Sequence, residues 1–457
     1  MKKKIWLMIG ASLLSLVVLV GAVVGVLMIH SAGFQVEPPK ESVINQTGLV
    51  QAVGRSLYDA KGRPLQLVGV NAGQLLLQEG WMSPFAIEPK KNEDGSYVKD
   101  DGGNIQYPDF SEEDFRTGLA SNPNLADYDL EELMAYYWQC FFTEEDFRII
   151  KEDLGMNTIR LPFYYKNILK DDLSRKNEEE AFWYLDWFVE MAAKYELYII
   201  LDLHGAPGSQ NGYEHSGASE RIEDLWDNEK NVAATIDIWA FVSEHYTQTR
   251  PELGKWIATY DLLNEPTDGY KGTTTKKCWD VMDRIYDTIR KNGDQHVITM
   301  AGCWDFSNLP DPEDYGWENV QYEYHWYNWE NEIVSYEMFL AYQDAFNIGR
   351  DYEVPVLIGE FTCFEDKAAW DYLLTEFDDR YYSWTVWSYK SAVTGWWTSS
   401  WSVYTCQLKA VTENEDTKMN VSTCTYEAFA DTCEKTRTEN CATGTLYEVL
   451  KKHMGKR

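Results

Sequence analysis

Val354-Pro355-Val356-Leu357-Ile358-Gly359-Glu360-Phe361 is a short apolar run that ends on a carboxylate, and Tyr260-Asp261-Leu262-Leu263-Asn264-Glu265-Pro266 repeats the pattern 95 positions earlier (360 minus 265). Such a run reads as a buried strand carrying an acid to its C-terminal end, where parallel α/β enzymes build their sites. The spacing equals about three βα units of roughly 30 residues, so both acids can reach one face of a barrel. Six further runs, Leu65–Val70, Met156–Leu161, Leu197–Leu203, Val297–Ala301, Val320–Tyr324 and Tyr382–Trp387, join Trp256–Leu263 and Val354–Gly359 to make eight. Helical patterns fall between or after them at Thr143–Leu154, Glu178–Tyr195, Asn231–His245, Thr275–Lys291, Ser335–Phe346 and Leu446–His453. Thr143, followed three positions later by Asp146, predicts an approximate capping box. The alternation predicts the α/β class and a (β/α)8 TIM barrel rather than an open sheet, and no GxGxxG suggests a dinucleotide fold.

The 457 residues suffice for one barrel with insertions. Residues 46–457 are expected to form it, with polar insertions at 88–130 and 404–444. Both follow strand ends and should border the catalytic face. The second holds Cys406, Cys424, Cys433 and Cys441, four of eight cysteines, and one or two disulfides there would order it. No CxxC pair marks a zinc ribbon or thioredoxin site.

At the N-terminus, Lys2, Lys3 and Lys4 precede Ile5–Ile29, 25 positions without a charge. That exceeds both a signal-peptide core and the roughly 20 residues needed to span a bilayer. The expectation is a basic cytoplasmic tip at 1–4, a transmembrane signal anchor at 5–29, a linker at 30–45 and an extracytoplasmic body, with cleavage and secretion as the alternative. A formal net charge of -33 excludes a nucleic-acid partner, which needs a basic surface. The 19 Trp, 30 Tyr and 18 Phe suit either sugar-ring faces or a large aromatic core.

Polar residues line up at the strand ends. Arg160 closes the second run, His204 follows the third, Asn264 and Glu265 the fourth, His325 and Tyr327 the sixth, Glu360 the seventh, and Trp387 ends the eighth. In a parallel barrel these ends meet at one mouth. Two carboxyls are what glycosidic cleavage requires, one as acid and base and one as nucleophile, roughly 5 to 5.5 Å apart in the retaining case. Asn264 can hydrogen-bond a sugar 2-hydroxyl, Arg160 and Tyr327 can keep the nucleophile ionised, and Trp387 can floor the sugar site. For this chemistry the Glu265 pKa is expected to be raised by ionised Glu360.

These residues in this order resemble the signature of glycoside hydrolase family 5, a (β/α)8 family of retaining β-glycosidases, over Gln66–Lys390. The resemblance implies Glu265 as acid and base, Glu360 as nucleophile, a β-linked oligo- or polysaccharide substrate, and no metal or organic cofactor. Asp202–Gly212 and Glu79-Gly80-Trp81-Met82-Ser83-Pro84 are similar to the exo-β-1,3-glucanase branch, whereas Trp387–Tyr404 and the two insertions depart from it. The expected function is a retaining β-glycosidase acting on a β-glucan or β-glucoside. The alternatives are the same mechanism on β-mannan or a glycolipid head group, or a non-catalytic carbohydrate-binding barrel. His204 and His325 lack the HExxH or close clustering of zinc ligands, and no GxSxG elbow marks a serine hydrolase. His215, His245 and His296 read as surface or satisfied core residues, and Asn92–Asp101 as a solvated acidic loop without EF-hand spacing. Trp396, Trp397 and Trp401 form either a further sugar platform or packing.

Overall fold

The computed structural model describes residues 38–99, 105–218, 222–303, 308–329, 333–347, 352–392, 401–406 and 418–457. Among these no helix is long and apolar enough to cross a membrane, and the expected anchor at 5–29 lies outside them. Eight parallel strands close a barrel: β1 (Val68–Asn71), β2 (Thr158–Tyr164), β3 (Tyr198–Gly205), β4 (Ile257–Asp261), β5 (Val297–Gly302), β6 (Val320–Tyr327), β7 (Val356–Thr362) and β8 (Ser383–Val386). Neighbours in sequence are neighbours in the barrel, and β8 pairs with β1. Each lies on an expected run, because a strand buried on both faces must be apolar nearly throughout.

The expected helices are present as Glu144–Arg148, Glu178–Lys194, Glu229–Glu244, Lys276–Lys291, Ile333–Asn347 and Thr445–Met454, joined by Lys367–Asp379 between β7 and β8. The Thr143 capping box forms: the Asp146 carboxylate accepts from the Thr143 backbone N–H at 2.6 Å and its hydroxyl at 2.9 Å. Satisfying end donors in this way is typically worth ~1 kcal/mol. A short hairpin sheet (Gln51–Val53, Ser56–Tyr58, Pro64–Leu65) closes the lower end. There Val50 and Leu57 pack on Leu67, Ile200, Ala258, Val297 and Leu357.

The insertions are more ordered than their polarity suggests. The first contains a helix, Glu112–Ser121, where a loop is expected. Its capping box is complete, with Ser111 N–H donating to Asp114 Oδ2 at 3.0 Å and Asp114 N–H donating to Ser111 Oγ at 3.3 Å. Phe115 and Leu119 supply its apolar stripe, while the rest is polar enough to conceal the period. The second contributes Tyr404–Cys406, the helix Tyr426–Lys435 and Cys441–Thr443. A disulfide joins Cys406 to Cys441, which face each other across two antiparallel strands. Cys424 and Cys433 are buried free thiols.

The insertions also pack on each other. Asn122 Nδ2 donates to the Val421 and Cys424 carbonyls, each at 2.9 Å, and Tyr128 stacks on Tyr426 with ring centroids 4.2 Å apart. Lys418 reaches from the second insertion to the Gly80 carbonyl beside the barrel mouth.

Candidate active site

Arg160, fully buried on β2, is the electrostatic centre of the mouth. Its Nε and Nη2 donate to Asp261 Oδ2 at 3.0 and 2.7 Å, Nη2 also pairs with Asp202 at 3.1 Å, and Nε with Glu323 at 3.2 Å. Nη1 donates to Glu360 Oε1 at 3.0 Å and to Asn71 Oδ1 at 3.1 Å, and Nη2 to Asn264 Oδ1 at 3.0 Å. One guanidinium therefore faces four carboxylates, and a planar fork is the cation shaped for that. Burial pushes the Asp261 carboxyl up, and the charge of Glu323 pushes it further, against the opposing charge of Arg160. Burial also acts on Glu323, but the charge of Arg160 and the hydrogen bond from His325 outweigh it and hold that carboxyl near about 2.

Glu360 receives a second donor, the Tyr327 hydroxyl, at 2.6 Å on Oε2. Burial and the charge of Glu360 raise the Tyr327 phenol well above its usual range, so it stays a donor. Gly359 directly precedes Glu360, and a Cβ there would overlap the Glu323 carboxylate. That steric limit explains the Gly-Glu pair.

Glu265 lies one position beyond Asn264 with φ +44°, a left-handed conformation that costs a non-glycine residue about 1 to 3 kcal/mol and turns its carboxylate into the mouth. His325 Nδ1 lies 2.9 Å from Glu265 Oε1 and 3.5 Å from Glu360 Oε2, and its Nε2 is 3.3 Å from Glu323. Burial opposes charge on this ring, but Glu360, Glu265 and Glu323 together raise its pKa well above normal. Ligand atoms of Glu265, His325 and Glu360 lie within 4.8 Å of one another. Close enough to reach one cation, these atoms are already engaged by Arg160, Tyr327 and histidine N–H groups, so the cluster reads as charge pairing rather than a ligand set.

His204 Nδ1 is 2.6 Å from Asp202, which orients its Nε2 toward Asn264 Nδ2 at 3.2 Å. The ring stacks on Trp387 at 5.4 Å between centroids. A cavity of about 640 Å³ opens above these groups, lined also by Glu79, Trp81, Tyr213, His215, Trp329 and Trp401. Trp401 packs against Tyr327 and Trp81; Trp396 and Trp397 lie outside the described residues.

Residues 113–393, 281 of 457 (393 minus 113 plus one), match the family described as cellulase (glycosyl hydrolase family 5). The chain belongs to glycosyl hydrolase family 5. It is 37% identical over 195 residues to a beta-xylosidase of Phanerodontia chrysosporium, covering 42% of this chain and 39% of that protein. To a probable glucan 1,3-beta-glucosidase A of Neosartorya fischeri it is 26% identical over 300 residues, 64% of each. The chain thus spans less than two thirds of the length of these curated relatives. The fold is shared with the Aspergillus niger rutinosidase, at 15% identity and TM-score 0.53 over 80% of this chain and 96% of that one. An endogalactoceramidase structure also shares it, at 14% identity and TM-score 0.54 over 84% of each.

In this family 5 barrel, all eight residues singled out in the sequence, Arg160, His204, Asn264, Glu265, His325, Tyr327, Glu360 and Trp387, meet at one mouth. Two expectations are corrected. His215, read as a surface or core residue, lines the cavity with Nε2 3.1 Å from Glu265 Oε2. By contrast His245, between Glu178 and Asp186, and His296, between Asp294 and the Gly254 carbonyl, are satisfied away from the mouth. Glu265, expected to have a raised pKa, has burial pushing it up but is held well below its usual range by the hydrogen bonds and charges of His215 and His325.

Glu79, Asp202, Asp261 and Glu323 were missed. The last three are single charges inside apolar runs, which burial tolerates only when they are paired, so the signal for them was present. Glu79, buried beside Trp81 Nε1 at 2.6 Å, is pushed up to about 7 by burial, with the charges of His215 and His204 opposing.

Proposed function

We propose that this chain is a retaining β-glycosidase that hydrolyses a β-glucan or β-glucoside by double displacement, with Glu360 as nucleophile and Glu265 as acid and base. The observation that carries the proposal is the approach of the two carboxylates: ligand atoms of Glu265 and Glu360 lie within 4.8 Å. This bound on their nearest approach favours a retaining pair, whose carboxyls stand roughly 5 to 5.5 Å apart, over an inverting pair at roughly 6.5 to 9.5 Å.

Each partner then has a task. Arg160 and Tyr327 keep a donor on each Glu360 oxygen, fixing the lone pair that attacks C1. Asn264, its Oδ1 held by Arg160, presents its Nδ2 toward the sugar 2-hydroxyl, a bond that strengthens as C1 gains positive charge. Trp387, backed by His204, offers an indole face beneath the ring.

A second reading of the substrate is favoured by Trp81, Trp326, Trp329, Phe339 and Trp401 along the cavity wall. Such a wall suits an apolar aglycone, as in a glycolipid head group, better than a further sugar. We also propose that the body lies outside the cell on the Ile5–Ile29 anchor; the Cys406–Cys441 disulfide supports an oxidising compartment.

Incubating the chain with laminarin, cellulose, mannan, aryl β-glucosides and glucosylceramide, and following the first-formed product by NMR, tests both substrate and mechanism. The proposal predicts β-anomer first from a β-glucoside. Inverted product, or turnover of none of the five, counts against it.

A further inference from the structure

The loop from β3 to the helix Glu229–Glu244 holds His215 against Glu265 in an unusual way. Gln210 ties this loop to the mouth, its Nε2 donating to the His204 carbonyl at 2.7 Å and the Asn264 carbonyl at 2.9 Å. The Asn211 side chain can be oriented only one way, because Oδ1 accepts the Tyr213 N–H at 2.9 Å. Its Nδ2 therefore donates to the Glu265 carbonyl at 3.1 Å and faces His215 Nε2 at 3.0 Å. The same Nε2 is 3.1 Å from Glu265 Oε2, and Tyr213 stacks on the imidazole with planes 5° apart.

One ring nitrogen thus faces both a carboxylate and a fixed N–H donor. When Nε2 carries a proton, it donates to Glu265. When Nε2 is bare, it accepts from Asn211, so this nitrogen has a partner in either protonation state. His325, on the other Glu265 oxygen, differs: its two nitrogens are flanked by Glu265, Glu360 and Glu323, and its proton is clamped.

We propose that His215 is a positioning residue that stores the proton which Glu265 delivers to the leaving oxygen, and takes it back in the second half-reaction. This rests on the acid and base assignment of Glu265 above. In glycosylation a Glu360 oxygen bonds to C1, and the C1–O electron pair goes to the leaving oxygen. His215 Nε2 passes its proton to Glu265, which passes it on to that oxygen. His215 is left neutral, accepting from Asn211, and Glu265 is ionised as the second step requires. In deglycosylation water gives its proton to Glu265 and bonds to C1, Glu360 departs, and the proton returns to His215. One proton leaves the pair and one comes back.

The charged groups around His215 fit this storage. Burial lowers the pKa of the ring, but the hydrogen bond and charge of Glu265, then Glu79 and Glu214, bring it up to about 9. Two further rings face it, Tyr213 at 5.2 Å and His204 at 6.2 Å between centroids. The stored proton is then available across neutral pH.

The test is the pH profile of His215→Asn and His215→Phe in the full chain, on an alkyl β-glucoside and a dinitrophenyl β-glucoside. The alkyl leaving group needs the proton; the dinitrophenolate does not. With the alkyl substrate, kcat/KM should fall roughly 100-fold, within the range of a lost proton-transfer contribution, and the alkaline limb should move more than about one unit lower. The dinitrophenyl substrate should lose far less. Equal losses on both substrates, or an unmoved alkaline limb, overturn the inference.

If neither variant folds, NMR titration of His215 in Glu265→Gln decides. Its pKa should drop from about 9 toward the ordinary histidine value, and a value staying near about 9 overturns the coupling. Failure of the underlying assignment is separate: there Glu265→Ala would lose both substrates equally, whatever His215 does.

Discussion

Replacing Arg160 by Met removes the guanidinium that faces Asp202, Asp261, Glu323 and Glu360 at 3.1, 2.7, 3.2 and 3.0 Å. The methionine fills much of the volume, so the change is mainly electrical. Breaking a buried ion cluster by deleting one partner costs about 3 to 5 kcal/mol, because the remaining charges are left in a low-dielectric site. With an unfolding entropy of roughly 2.1 cal/mol/K per residue and roughly 380 described residues, Tm should fall by about 4 to 6 °C. The sign of the pH dependence follows from linkage. Without the guanidinium, the remaining carboxylates bind protons more tightly in the folded than in the unfolded state. Above an unfolded pKa of about 4 the native variant therefore holds the extra protons, and its stability falls as pH rises. Thermal unfolding followed by circular dichroism at about pH 5 and about pH 8 should show the larger deficit at the higher pH. A variant within about 1 °C of wild type at both, or one whose deficit grows toward acid, would refute the reasoning.

Non-reducing peptide mapping should join Cys406 to Cys441 across a separation of 35 residues, for which chain entropy gives about 4 kcal/mol; both alkylating as free thiols would refute the bridge. Reduction should expose the second insertion to protease before the barrel melts, and simultaneous loss of both would contradict that order. Protease added to intact cells should remove the body and leave Lys2–Lys4 protected, whereas a protected body would place it inside. Glu265→Ala should still be glycosylated by activated aryl substrates, and azide should restore turnover as a β-glycosyl azide; an α-azide would reverse the two roles.

The barrel was legible because its strands are buried on both faces and read as apolar runs, and the strand ends then pointed to the site residues one by one. Side-chain period was less informative where polar residues dominate: Glu112–Ser121 is a helix held by a capping box and little more than Phe115 and Leu119. His215 carried no such signal. Its contact with Glu265 depends on a coil that passes through positive φ at Gly208, Ser209, Gly212 and Gly217, a path set by tertiary hydrogen bonds rather than by pattern. The direction of the Glu265 pKa was misjudged for the same reason. Reasoning from the two acids alone omits the two imidazoles that embrace one of them.

The central claim is that Glu360 becomes covalently linked to the sugar. A fluorosugar with a dinitrophenolate leaving group slows both steps but leaves the first faster than the second, so the intermediate accumulates and survives proteolysis for peptide mass spectrometry. The account predicts one added fluoroglycosyl group, on Glu360 of the peptide containing Val356–Thr362. A label on Glu265 or any other residue, or burst-free turnover with no label at all, would contradict it.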